Sequence, residues 1–102
     1  MLYLVYTPCK DTKSAQNIAS QLLNQKLAGC CNIIPNVKSL YFWDDQLNKD
    51  DEVLLLVKTT AANKEKVIST IEDIHFYDIP AIIAFPIEAN SAYENWIKSN
   101  VN

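Results

Sequence analysis

Arginine is absent from this chain of 102 residues, and glycine and histidine occur once each. Without a planar guanidinium, bidentate recognition of phosphate, carboxylate or guanine has no donor. The net charge is −3 and no basic patch is visible, so nucleic-acid binding is not expected. Acylphosphatase-like catalysis, which needs an Arg-held phosphate, is excluded on the same ground. The one histidine, His75, is a thin basis for a metal site, because zinc takes three or four protein ligands. The three cysteines, Cys9, Cys30 and Cys31, are odd in number and lack a disulfide or metal-site spacing, which points to a reducing compartment. No apolar run approaches the ~20 residues of a membrane-spanning helix. The chain enters an apolar strand at once, leaving no room for a targeting segment. Together these absences lead to the expectation of a soluble, cytoplasmic protein.

What is present is apolar. Residues of that kind make up 49% of the chain, enough for the core of one domain over 1–102 without staples. Leu2 to Thr7 reads as a buried strand closed by Pro8. Asp11 or Thr12 caps a helix in which Ala15, Ile18, Ala19, Leu22, Leu23 and Leu27 form one stripe. Gly29, just past its end, suits a left-handed C-cap. Cys30 to Leu47 is extended, with a bend or bulge at Pro35-Asn36. Lys38, Leu40 and Phe42 face away from Ser39, Tyr41 and Trp43. Asp44-Asp45-Gln46 and Asn48-Lys49-Asp50-Asp51 offer turn chemistry, and a strand follows over Glu52 to Thr59. A second helix from Thr60 or Asn63 carries Val67, Ile68, Ile71 and Ile74 on one face. Ile79 to Ile87 is the last strand, and Ser91 and Glu94 have capping-box spacing for a C-terminal helix.

The order β-α-β-β-α-β plus a C-terminal helix is the split βαβ, ferredoxin-like arrangement, an α+β fold with an antiparallel sheet. In it two helices cover one sheet face, and the other face of each strand normally alternates with polar residues. Leu2 to Tyr6, Val53 to Val57 and Ala81 to Phe85 barely alternate. Both faces therefore call for burial, and further copies of the chain are the expected cover. The run from Leu27 to Trp43 is also too long and apolar for a small monomer.

Adjacent Cys30 and Cys31 point to opposite faces of a strand and are expected to be buried filler. Cys9, after Pro8, is expected to be the most exposed thiol. Asp44, Asp45, Asp50, Asp51 and Glu52 form an acidic run without calcium-loop spacing, a solvated turn by default. His75, near Asp73 and Asp78, is either a metal ligand or a helix C-terminal imidazolium. Tyr41, Trp43, Tyr77, Tyr93 and Trp96 are of the amphipathic type enriched at interfaces, with core packing the rival role. Lys58 could contact an anionic ligand.

Several segments carry a resemblance. They are Thr7-Pro8, Leu27-Ala28-Gly29-Cys30-Cys31-Asn32-Ile33-Ile34-Pro35, Ser39-Leu40-Tyr41-Phe42-Trp43, Glu52 to Thr59, His75-Phe76-Tyr77-Asp78-Ile79-Pro80, and Tyr93-Glu94-Asn95-Trp96-Ile97. In this order and spacing the chain resembles the CutA divalent-cation tolerance proteins over nearly its whole length. The resemblance implies a ferredoxin-like fold and a tight homotrimer around a threefold axis, with the long second and third strands pairing across subunits. It implies a role in the response to metal ions, with copper or another divalent cation as the bound species and no catalytic reaction. The chain departs from some members. Tyr6 stands at a proposed copper-binding cysteine, and Ile74 replaces the first of two adjacent histidines, leaving His75. Phe76, Ala81 and Asp45 stand where Pro, Glu and Gly are common.

The expected function is thus a non-catalytic, CutA-type homotrimer, with His75 as the remaining metal-ligand candidate. Tyr41, Lys58 and Tyr77 are candidates for an inter-subunit ligand cleft, and Trp43, Tyr93 and Trp96 for the trimer interface. The alternatives are a PII-like sensor of a small anionic effector and a structural anchor for other proteins.

Overall fold

The first helix shows how local chemistry sets the elements. In the computed structural model, which describes residues Met1–Asn102, α1 spans Thr12–Asn24 and follows β1, Leu2–Cys9. Asp11 is extended, and its carboxylate accepts the Ser14 N–H at 2.8 Å, satisfying a free donor of the first turn. The helix stops because Lys26 turns left-handed, at φ 57°. The Lys26 N–H then donates to the Leu23 carbonyl and the Leu27 N–H to the Leu22 carbonyl, both at 3.0 Å. That pair of bonds is the Schellman closure, with Leu22 and Leu27 both buried beneath it.

The left-handed cap expected at Gly29 is therefore supplied by Lys26, and the helix ends before Leu27. Gly29 has no positive φ. It has another reason to lack a side chain: a Cβ there would lie 2.8 Å from Ile97 Cδ1 and 3.3 Å from Ile97 Cα. The close approach lets the C-terminal helix seat against the start of the next strand.

That strand, β2 (Cys30–Trp43), pairs with β3 (Gln46–Thr60) through a two-residue turn at Asp44-Asp45, with φ of 52° and 60°. Two positive φ values in succession make the type I′ turn that fits strand twist. Asn48 to Asp51, expected as a second turn, instead continue the ladder, and β3 begins at Gln46 rather than Glu52. The bulge expected at Pro35-Asn36 is present, with Asn36 at φ 64°. After α2 (Lys64–Ile74) comes β4, Ile83–Ile87, four residues shorter at its start than expected. Pro80 has no N–H for a ladder, and the chain stays irregular until Ile82. The last helix, α3 (Ser91–Ser99), is preceded by Asn90 as cap, so the Ser91–Glu94 capping box does not form. Glu94 pairs instead with Lys98 at 2.9 Å and with the N-terminal ammonium at 3.3 Å.

The sheet is antiparallel, in the order β2-β3-β1-β4, as the split βαβ reading requires. Register divides it into two faces. Val5, Thr7 and Cys9 lie opposite Val57, Leu55 and Val53, and this face meets α1 and α2 in one core with Ile18, Leu22, Val67 and Ile71. Cys9, expected to be exposed, is 1% accessible there, and burial pushes its thiol up to about 11. Burial likewise pushes Cys31 up to about 12, in keeping with a filler role. The second face carries Leu4, Tyr6, Ile34, Leu54, Leu56, Ile83 and Phe85. Helix α3 shelters one end of it, where Leu2 and Ile97 are fully buried outside the main core. The remainder is open, with Ile83 50% and Phe85 43% exposed. Only 19 of 102 residues are buried in a chain that is 49% apolar, so the protomer by itself leaves much of its apolar surface wet.

Two substitutions test this account of the first helix. Gly29→Ala is expected to lower stability by about 1–3 kcal/mol through overpacking against Ile97, with part recovered when Ile97→Val removes the nearest atom. Lys26→Gly is expected to raise stability by about 0.5–1 kcal/mol by relieving a left-handed lysine. Denaturant midpoints decide both; an unchanged midpoint for Gly29→Ala would dismiss the close-approach explanation.

Candidate functional site

The irregular stretch from His75 to Ile82 leaves the end of α2 and crosses to the β2–β3 hairpin. Its course is fixed by one imidazole. The His75 Nδ1 accepts the Tyr77 N–H at 3.1 Å, so the ring proton resides on Nε2, which donates to the Pro8 carbonyl at 2.9 Å. His75, at the C-cap of α2, thus ties the loop to the end of β1. Two residues on, the Tyr77 hydroxyl donates to Glu52 Oε2 at 2.7 Å. Burial first, and then Glu52 as acceptor and neighbouring charge, push the Tyr77 phenol well above its ordinary range. The Tyr41 hydroxyl donates to Asp50 on the same hairpin face, and that bond raises the Tyr41 phenol as well.

Between loop and hairpin lies a groove of about 680 Å³. Tyr41, Trp43, Phe76 and Tyr77 wall it with rings. Asp50, Glu52 and Asp78 line it with carboxylates, and no lysine lines it. The chain's four ion pairs involve none of these three acids. The acidic run around the hairpin is therefore only partly a solvated turn. Asp50 and Glu52 face the groove beside Tyr41 and Trp43, while Asp51 faces the other side and pairs with Lys38, which lowers its carboxyl.

The residues singled out from sequence thus separate. Tyr41, Trp43 and Tyr77 gather at the groove, and His75 braces the loop that forms one of its walls. Lys58 does not join them. It sits six residues further along β3, about 20 Å at strand rise, where its ammonium donates to the Tyr93 hydroxyl at 3.3 Å. Tyr93 stacks on Trp96, with centroids 5.8 Å apart, on α3 at that far end. Glu52, Asp50 and Phe76 are groove residues that went unassigned. The signal for the first two was present: once Asp44-Asp45 is a two-residue turn, residues 48, 50 and 52 must share a face with 41 and 43.

A divalent cation finds little here. No three His, Cys, Asp or Glu side chains of the protomer converge to hold a metal ion. Both nitrogens of His75 are engaged by the backbone. The donor set of one protomer does not fit a copper or zinc centre.

Tyr77→Phe tests the hydrogen-bonded phenol. A phenol whose folded pKa is raised adds stability that is complete below the unfolded value of about 10 and is lost as pH rises through the folded value. The wild type is expected to lose stability above about pH 10, and Tyr77→Phe to lose less over the same range. Tyrosinate absorbance should show one late-titrating phenol fewer in the variant. Superimposable titration curves would refute the Tyr77–Glu52 bond.

Comparison with known proteins follows the same geometry. The sequence model described as "CutA1 divalent ion tolerance protein" matches residues 3–100. The divalent-cation tolerance protein CutA of Thermus thermophilus is 38% identical over 98 residues, covering 95% of this chain and 93% of that protein. The chloroplastic CutA 1 protein of Oryza sativa is 32% identical over 95% of this chain, which spans only 55% of that longer protein. Among solved structures, the Cut A1 protein of Thermus thermophilus superposes with a TM-score of 0.93 at 36% identity, with all of both chains covered. CutA1 of Oryza sativa gives 0.95 at 30% identity, with 99% of this chain and 94% of that one covered. With nearly every residue matched in sequence and in backbone course, the chain belongs to the CutA1 divalent ion tolerance protein family.

Proposed function

We propose that this protein serves divalent-cation tolerance as a cytoplasmic, non-catalytic homotrimer whose working site is the groove between the hairpin and the 75–82 loop. The observation that carries the assembly is the unsheltered apolar surface. The second sheet face is covered only at its α3 end, and Leu40, Phe42 (74% exposed), Trp43 and Leu47 stand in solvent on the hairpin. Large exposed apolar patches on a small domain mark association surfaces. β2 is also a 14-residue edge strand, a ready template for pairing with another copy. The threefold stoichiometry follows the family resemblance.

A binding role without catalysis is supported by the chemistry available. The single imidazole is spent on loop geometry, and the Cys9 thiol is buried with a raised pKa. Divalent cations, copper included, would draw on groove carboxylates from more than one copy, since one protomer lacks a donor set. The charge of the groove favours a cation over the anionic effector also considered from the sequence.

Sedimentation of the wild type at micromolar concentration is expected to give a trimer, and Trp43→Ala a weaker one with a lower melting temperature. A stable wild-type monomer would refute the assembly. Calorimetric titration of Cu²⁺ is expected to give weaker heats for Asp50→Asn than for the wild type. Equal heats would remove the groove carboxylates from any metal site.

A further inference from the structure

We infer that Lys58 of each protomer docks against the carboxylates of Asp50 and Glu52 at the hairpin end of a neighbouring copy, so that every groove is completed by a lysine from the partner subunit. This rests on the trimeric reading, and it names the residues through which copies meet and the sense in which they are laid.

The open sheet face has a polarity along its strands. Side chains alternate across a strand. The face that bears Leu54 and Leu56 therefore also bears Lys58 towards one end of β3, and Glu52 and Asp50 towards the other. Its positions on β1 and β4 are uncharged throughout, from Leu2 to Pro8 and from Ile83 to Ile87. On β2 the face runs through Cys30 to Ile34 and, past the bulge, from Val37 to Trp43 at alternate places, again without charge. Lys58 is thus the one cation that the strands place on this face, and Asp50 and Glu52 are the only anions. Glu52 and Lys58 stand about 20 Å apart at strand rise, with an apolar middle between them.

Covering that face makes the lysine the deciding residue. Lys58 is half-buried and takes part in none of the chain's four ion pairs. Its ammonium has the neutral hydroxyl and ring of Tyr93 for company. Glu94, next to Tyr93 on α3, is already shared by Lys98 and the N-terminal ammonium. A charge taken out of water without a counter-charge is costly. The protomer cannot supply one, because the acids of this face lie at its far end, but another copy can. In a closed head-to-tail ring, one end of each copy meets the opposite end of the next. Laid in that sense, apolar middles cover one another and Lys58 reaches the neighbour's acids. Laid with all strands side by side in one direction, the copies would gather lysines at one end and acids at the other, and like charges would repel. Charge therefore selects the head-to-tail sense. One lysine against Asp50, Glu52 and Asp78 leaves the groove acidic, so it still attracts a cation.

Charge exchange tests the contact in the assembled protein. Sedimentation of a dilution series, with melting temperature beside it, reads the strength of the trimer. Lys58→Glu and Asp50→Lys, each alone, set like charges against each other. Each is expected to move the midpoint of dissociation to a roughly tenfold higher protein concentration. Combined in one chain they are expected to restore most of the loss, which a lysine needed only for its Tyr93 bond would not do. Lys58→Gln, paired with Asp50→Asn and with Glu52→Gln, repeats the cycle in side chains of nearly native shape, in case a reversal disturbs folding. There the second neutralisation is expected to cost little once the first is made. Additive losses in all of these cycles, or variants that assemble like the wild type, would overturn the contact and leave the trimer standing. A wild-type monomer would sink the trimeric reading itself.

Discussion

The structure depends on an inequality of strand lengths. β2 and β3 pair over 14 and 15 residues, whereas β1 has eight and β4 five. β1 meets β3 only from Val53 to Thr60. Beyond Glu52 the sheet is a two-stranded ribbon, which helps stretch the protomer to 46 × 24 × 21 Å. An isolated ribbon of that kind is marginal in water. Its polar contacts, the Lys38–Asp51 pair and the Tyr41–Asp50 bond, are at the surface and contribute little. The type I′ turn and the backbone ladder keep the ribbon in register without hiding its rings. The overhang is therefore the part of the fold that most needs a neighbour, and it is also the part that builds the groove.

What closes the other wall of the groove is a short chain of hydrogen bonds. It runs from the Pro8 carbonyl through the His75 ring to the Tyr77 backbone, and from the Tyr77 hydroxyl to Glu52. Each link joins a different element: the end of β1, the end of α2, the loop, and β3. The loop has no strand ladder to hold it, with Pro80 interrupting any candidate, so these bonds set its position. A single imidazole with two backbone partners does the work that a longer β4 would otherwise do. It also explains why a lone histidine beside two aspartates looks like a ligand in sequence and is a brace in three dimensions.

The topology was legible because hydrophobic period and capping chemistry agree along most of the chain. The stripe from Ala15 to Leu22, the Asp11 cap and the Pro35-Asn36 bulge all emerged where local chemistry indicated. The misassignments share one cause. Gly29, Asn48 to Asp51 and Ile79 were judged by residue type, yet their conformations are set by contacts distant in sequence. Gly29 answers to Ile97, 68 positions later. Asn48 to Asp51 answer to Lys38 to Tyr41 across the ladder. At the site, the rings were visible in sequence and their grouping was not, because it hinges on a turn made by two aspartates where glycine or asparagine is the usual signal. Cys9 was misplaced for a related reason: a strand was expected to stop at Pro8, but the pairing carries on to Cys9↔Val53 and turns the thiol inward.

Membership of the family fixes the backbone more firmly than the chemistry. A fold can be held constant while the residues in its clefts change, and function resides in those residues. Here Tyr6 lies on the open sheet face, and Ile74, packed against the core, offers no donor atom. What remains at the groove is aromatic area and carboxylate charge. Both follow from the same geometry, since the ribbon's even-numbered side carries acids on β3 and the facing side of β2 carries Tyr41 and Trp43. Acids along one strand repel one another unless solvent, a partner chain or a cation screens them. The phenols relieve this only in part, because a neutral donor spreads charge without cancelling it. An overhang that exposes apolar rings and unpaired acids together is stabilised by whatever covers the first and screens the second.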